Sequence, residues 1–228
     1  MRKLIILLTT AIGAISLSSC GTTGYLASGY NDVDAIKDVV LFEPVSKIET
    51  IGKGEITVSN DTACVASQDL LLQTVKECES GLNILSVYVP SGEEEAEIVR
   101  EGVESLYSQL LHSQGSFRTA TFVVPESLDE IIERTGNRYG MAVYSYGFSR
   151  TGGNYAAQIA KGVGLAILTL GSVYTVPYKD KSNIHIFIID SEHNCVAWHN
   201  HDIGADYNPL KQKHLEKQFK RIFRKFNK

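Results

Sequence analysis

Ile184-His185-Ile186-Phe187-Ile188-Ile189-Asp190, followed after Ser191-Glu192-His193 by Asn194-Cys195-Val196-Ala197-Trp198-His199, reads as two strands joined by a tight polar turn. So short a connection makes the pair antiparallel. Upstream, Met141 to Ser149 alternates strongly and forms another strand. Downstream, Leu215, Phe219, Ile222, Phe223 and Phe226 keep helical spacing, so an amphipathic helix closes the chain.

Toward the amino terminus, strands alternate with helices. Asp38 to Phe42 is a short buried strand closed by Pro44, and Ile48 to Val58 is extended. Ser59-Asn60-Asp61 offers caps for a helix that carries Val65, Leu71, Leu72, Val75 and Cys78 and stops at Gly81. A strand at Asn83 to Val89 precedes Ser91-Gly92-Glu93-Glu94, an S-x-x-E capping box. Beyond it Val99, Val103, Leu106, Tyr107 and Leu110 form one apolar stripe. Thr119 to Val124 reads as a strand, and Pro125-Glu126-Ser127 opens a helix that ends near Arg134, before Gly136. The expected fold is α/β, a mixed sheet of about five to six strands with packed helices, ending in an antiparallel hairpin and a C-terminal helix.

The 228 residues carry 22 Lys and Arg against 26 Asp and Glu, a formal charge of −4, and 43% are hydrophobic. That balance excludes collagen-like, disordered and disulfide-dense chains. It also speaks against a nucleic-acid partner, because such binders neutralise phosphates with Lys and Arg.

Met1-Arg2-Lys3 is basic, Leu4 to Ile15 is free of charge, and small residues follow to Ser19, the pattern of a secretory signal. Leu17-Ser18-Ser19-Cys20 resembles the bacterial lipobox. The resemblance implies lipidation of Cys20, a signal peptide over residues 1–19, and a protein tethered on the periplasmic side of a membrane. More than one acyl chain makes such an anchor stable. Gly21 follows rather than Asp, which in the enteric sorting rule implies the outer membrane. Residues 20–34, rich in Gly, Ser, Thr and Tyr, read as a flexible tether to a single domain over 35–228. Without Arg2 and Lys3 the charge becomes −6, while Lys211 to Lys228 alone carries +7. Cys64 and Cys78 lie on one expected helix about 21 Å apart, too far for a bridge, so thiols are expected, with a pairing of Cys195 as the alternative.

Leu128-Asp129-Glu130-Ile131-Ile132 and Tyr139-Gly140-Met141-Ala142-Val143-Tyr144-Ser145-Tyr146-Gly147 resemble a helix, turn and glycine-containing strand of TolB amino-terminal and CsgG-like envelope domains. Ile188 to Trp198 resembles their strand, Asp-led turn and Trp-ending strand. The likeness in element order runs from about residue 37 to 226 and implies an assembly or secretion accessory with no catalytic residues. An apolar insertion at 152–179 departs from that pattern.

The insertion is uncharged from Gly162 to Tyr178. Fifteen residues before Pro177 give about 22 Å of helix, short of the roughly 30 Å hydrocarbon core. It reads as a buried helix or flap, with a partner interface through Leu165, Leu168, Leu170 and Tyr174, or shallow membrane insertion, as alternatives. Gly162-Val163-Gly164 lacks the third glycine of a dinucleotide turn, and no cofactor is expected.

Gly147-Phe148-Ser149-Arg150-Thr151 falls short of a nucleophile elbow, although Asp190 and His214 follow in hydrolase order. If Asp190 pairs with Asn194, His185 stands opposite His199, and three imidazoles with His201 share a face that Asp202 or Asp206 could complete. A two-residue shift of the turn is expected to remove that cluster, and no metal is expected. Lys217, Lys220, Arg221, Arg224 and Lys225 form a basic surface that suits anionic lipid or an acidic partner. The favoured reading is a noncatalytic membrane-anchored envelope lipoprotein acting through protein contacts, with envelope partners or copies of itself. The alternatives are an envelope serine hydrolase using Ser149 and a lipid or small-molecule binding module.

Overall fold

A computed structural model describes residues 24–78, 81–113, 122–173, 175 and 177–226. Cys20 and the signal peptide lie outside the described residues. The strands are β1 (Tyr25–Leu26), β2 (Val39–Leu41), β3 (Val45–Ile51), β4 (Thr57–Ser59), β5 (Ile84–Val87), β6 (Tyr139–Arg150), β7 (Asp180–Asp190) and β8 (Cys195–Ala205). The helices are α1 (Asp61–Glu77), α2 (Glu93–His112), α3 (Glu126–Arg134), α4 (Gly152–Leu168) and α5 (Gln212–Ile222). The fold is mixed α/β, with more strands than the sequence suggests, because β1 and β4 are too short to show periodicity.

The sheet runs β1-β8-β7-β6-β2-β5, and β3, paired with β4, lies beside the second half of β6. β6 pairs parallel with β2 and β3, while the β6–β7 and β7–β8 pairs are antiparallel. Helices α1 and α5 cover one face, where Leu71, Val75, Leu215, Phe219 and Ile222 meet Met141, Val143, Ile184, Ile186, Ile188 and Trp198. Helices α2 and α3 cover the other, where Val99, Val103, Leu106, Leu128 and Ile131 meet Ala142, Tyr144, Phe187 and Ile189. Each large apolar side chain so buried contributes about 1.5–3 kcal/mol.

Several local expectations change. Gly92 precedes α2 without a side-chain cap, and Glu95 rather than Glu94 reaches back, accepting from the Ser91 backbone N–H at 2.7 Å and from its hydroxyl at 2.8 Å. Phe122 to Val124 is not a strand: Phe122 and Val124 are buried against α2 and α3, and the Gln109 amide bonds both the N–H and the carbonyl of Val123. Residues 119–121 lie outside the described residues. The chain read as a tether is docked from Gly24 onward, because Tyr25 and Leu26 pair with His199 and Trp198. No disulfide joins Cys64, Cys78 and Cys195 to one another.

Gly147 sits where β6 passes β7, and a Cβ there would lie 2.4 Å from the Lys181 carbonyl oxygen. Because that neighbour is backbone within the central ladder, it cannot rotate away. Gly147→Ala is expected to cost about 1–3 kcal/mol, read as a lower urea midpoint with an unchanged slope.

Candidate functional site

Helix α4 is capped by Thr151, whose side chain accepts from the Asn154 N–H. Buried Asn154 fixes its base: the amide donates to the Gly52 carbonyl at 2.8 Å and accepts from the Arg150 guanidinium at 2.8 Å. Gln158 bonds Glu55, and Lys161 pairs with the same carboxylate at 3.4 Å. At Gly162 the returning chain comes close, since a Cβ would meet the Thr175 carbonyl oxygen at 2.4 Å.

Beyond Gly162 the apolar side chains stand in solvent. Leu165 is 40% exposed, Ile167 71%, Leu168 84% and Leu170 96%. The expected buried flap is therefore an exposed apolar end, and Tyr174 lies outside the described residues. Leu170 also adopts a left-handed backbone, φ 52°, before Gly171 at φ 83°. That backbone closes α4, because the Leu170 N–H donates to the Ile167 carbonyl at 3.3 Å and the Gly171 N–H to the Ala166 carbonyl at 2.7 Å, while the leucine side chain stays in solvent. No described helix is long and apolar enough to cross a membrane.

Ser149 and Asp190 do not meet. The β6–β7 ladder pairs Ser149 with Asp180 and Tyr139 with Asp190, so they stand about 33 Å apart along the strands. The Ser149 hydroxyl donates to Asp180, and His214 accepts from the Asn208 N–H at 2.7 Å. Lys217, Lys220, Arg221 and Arg224 are all exposed. Arg221 also lies over the Tyr207 ring, bonds its hydroxyl at 2.6 Å and reaches Asp202 at 3.5 Å. Lys225 ends the short 3-10 turn after α5.

His185, His199 and His201 share the α2/α3 face of the sheet. His185 pairs with His201 and His199 with Phe187, because a bulge between Ile188 and Ile189 shifts the register. His185 Nδ1 lies 3.5 Å from His199 Nε2. One nitrogen from each of the three rings falls within 4.8 Å of the others. Burial pushes His185 down to about 3, reinforced by His201. It also takes His199 well below the ordinary range, while Asp202 partly opposes the fall at His201. All three are neutral imidazoles at neutral pH. Asp202 faces the opposite side with Ile184, and Asp206 accepts from the Lys179 N–H at 3.2 Å. Neither aspartate completes the cluster.

A second network, missed in the sequence, ties the hairpin turn to the amino-terminal segment. Fully buried Asp190 receives two bonds from Arg138, at 3.0 and 2.7 Å, with others from Tyr30 and the Glu192 N–H. His193 stands 3.0 Å away. Because the Arg138 guanidinium also pairs with the Glu192 carboxylate at 2.7 Å, the network is a set of ion pairs holding the fold. The Asp-led turn could have pointed to it, but its cation comes from 52 residues upstream.

No family model matches the chain, and no curated protein does. Among solved structures, dodecamers of PelC from Paraburkholderia phytofirmans match. Both that protein and a single-substitution variant of it show 10% identity and a TM-score of 0.36, with 90% of this chain and 96% of the other covered. Identity and score at that level establish neither a shared fold nor a shared assembly.

Burial alone pushes Asp190 up, yet the bonds from Arg138, Tyr30 and His193 outweigh it and hold the carboxyl below its ordinary value. Its stabilising contribution is thus present above the unfolded value of about 3.9 and lost as pH falls through the folded one. Arg138→Ala leaves a buried carboxylate short of its counter-ion and is expected to cost about 3 kcal/mol at pH 7. The difference from wild type should shrink at and below pH 4, as Asp190 protonates; urea unfolding at pH 7 and pH 3 measures it, and equal differences would contradict the assignment.

Proposed function

We propose that the protein is a noncatalytic, lipid-anchored component of the bacterial envelope that meets the bilayer surface through the apolar end of α4. The observation that carries this reading is the exposure of Ile167, Leu168 and Leu170 at a helix end whose base is fixed by buried Asn154. The resemblance to TolB and CsgG-like domains supports an accessory role in assembly or secretion.

Topology favours a membrane as the occupant. β1 runs antiparallel to β8, so the chain enters β1 from the side of the sheet where β8 ends at Ala205. That is also the side where β6 gives way to α4, since Ser149 pairs with Asp180 and Lys181 with Ala205. Cys20 lies four residues before Gly24, a reach of at most about 14 Å. In this reading one bilayer holds the anchor at Cys20 and receives the apolar end of α4. Exposed Lys53 and Lys179 near the helix base suit anionic headgroups. At 17 residues, about 25 Å, α4 dips into a membrane rather than spanning it.

The test separates the two attachments. Cys20→Ala should move most of the protein into the soluble fraction while leaving weak flotation with anionic vesicles. Adding Leu168→Asp and Leu170→Asp should reduce that residual binding at least about tenfold, since each buried leucine contributes about 1.5–3 kcal/mol and about 1.4 kcal/mol is tenfold. Flotation insensitive to both aspartates, or cross-links from position 168 that reach only copies of the chain, would refute the membrane reading.

A further inference from the structure

We propose that His185, His199 and His201 form a tris-imidazole site for a divalent transition ion, with zinc the expected occupant. The three side chains come from facing strands of one hairpin and present nitrogens within 4.8 Å of one another, with one pair at 3.5 Å. A tetrahedral ion bound at about 2.0–2.1 Å requires ligand nitrogens roughly 3.3 Å apart. The His185–His199 pair, at 3.5 Å, lies near that spacing, and small ring rotations bring the three nitrogens onto one ion.

The surroundings fit a ligand set better than a packed core. His185 and His199 are 5% and 1% exposed, while His201 opens toward solvent and offers a route in. The ring of Tyr107 stands edge-on to His185 at 5.1 Å and is stacked on Tyr144 at 4.0 Å. Phe187 stacks on His199 at 4.7 Å, and Phe122 lies 5.7 Å from it. These rings pack around the buried imidazoles of His185 and His199. Such surroundings hold histidine uncharged, the form that binds metal.

The donor chemistry narrows the ion. Three neutral nitrogens without a carboxylate exclude calcium and magnesium, which demand oxygen, and suit zinc, copper or nickel. A fourth position is left for water or a small ligand. Asn183, one pair along β7 on the same face, is 8% exposed, and its carbonyl oxygen has no hydrogen-bond partner among the described residues. That spare acceptor lies two residues along β7 from His185, on the face of the sheet that the site uses.

The full-length chain, purified in detergent without a histidine tag and stripped with chelator, should take up one equivalent of zinc against a chromophoric competitor. Cobalt in its place should give the intense visible bands of a tetrahedral nitrogen site, a readout that needs no variant. His201→Ala, at the open edge, should weaken zinc binding at least about 100-fold, and His185→Gln should do the same. His193→Ala, in the Asp190 network, should retain zinc uptake. Absence of stoichiometric uptake, cobalt bands of octahedral intensity, or uptake unchanged in a folded His201→Ala chain would each overturn the proposal.

Discussion

The antiparallel ladder between β6 and β7, from Tyr139 opposite Asp190 to Ser149 opposite Asp180, governs the rest of the molecule. Its apolar side chains feed two cores at once: Met141, Val143, Ile184 and Ile186 face α1 and α5, while Ala142, Tyr144 and Phe187 face α2 and α3. A one-residue slip would exchange the two sets and oppose every side chain to the wrong layer. Gly147 lets the strands approach where the Lys181 carbonyl leaves no room for a Cβ. The ladder is therefore both the centre of the hydrophobic free energy and the ruler that places every polar group.

That ruler separates two chemically different ends. At one, Arg138, Tyr30 and His193 converge on buried Asp190 and tie the hairpin turn to the amino-terminal segment. Removing one partner from so buried a carboxylate is far costlier than removing a surface pair. At the other, β6 runs into α4, whose polar base is satisfied and whose apolar end is exposed. One end is closed by electrostatics while the other stays open. The open end is where contact with a bilayer or another protein costs the fold least.

The sequence made the sandwich legible because its signals were long and periodic: the alternation of Met141 to Ser149, the α2 stripe and the phenylalanines of the closing helix. Short elements were not. Tyr25 and Leu26 form β1 only because β8 supplies an edge, and Phe122 to Val124 has strand composition but lies on α2 and α3 instead of pairing. α4 reads as buried by composition alone; nothing in its residues reveals that Leu168 and Leu170 stand exposed. Asp190 carried no marking of its partner, since Arg138 is distant in the chain and reaches it only when β6 and β7 pair.

The histidine cluster depended on a detail that pattern reading misses. A four-residue turn and a bulge at Ala197 replace the simple hairpin, so Ile189 faces Val196 while Ile188 faces Trp198. The extra residue reverses the alternation of β8 beyond it. Val196 lies in the α2/α3 core, yet Trp198 turns to the other side and packs on Phe223 and Phe226. His199 and His201 consequently turn toward α2 and α3, where His185 already points. The two-residue shift expected to dissolve the cluster preserves it, because a period of two leaves faces unchanged and only exchanges the direct neighbour of His185 from His199 to His201. Without the bulge, Trp198 would face α2 and α3 and the two histidines would face α5. One inserted alanine thus fits the largest side chain into one core and gathers three imidazoles in the other.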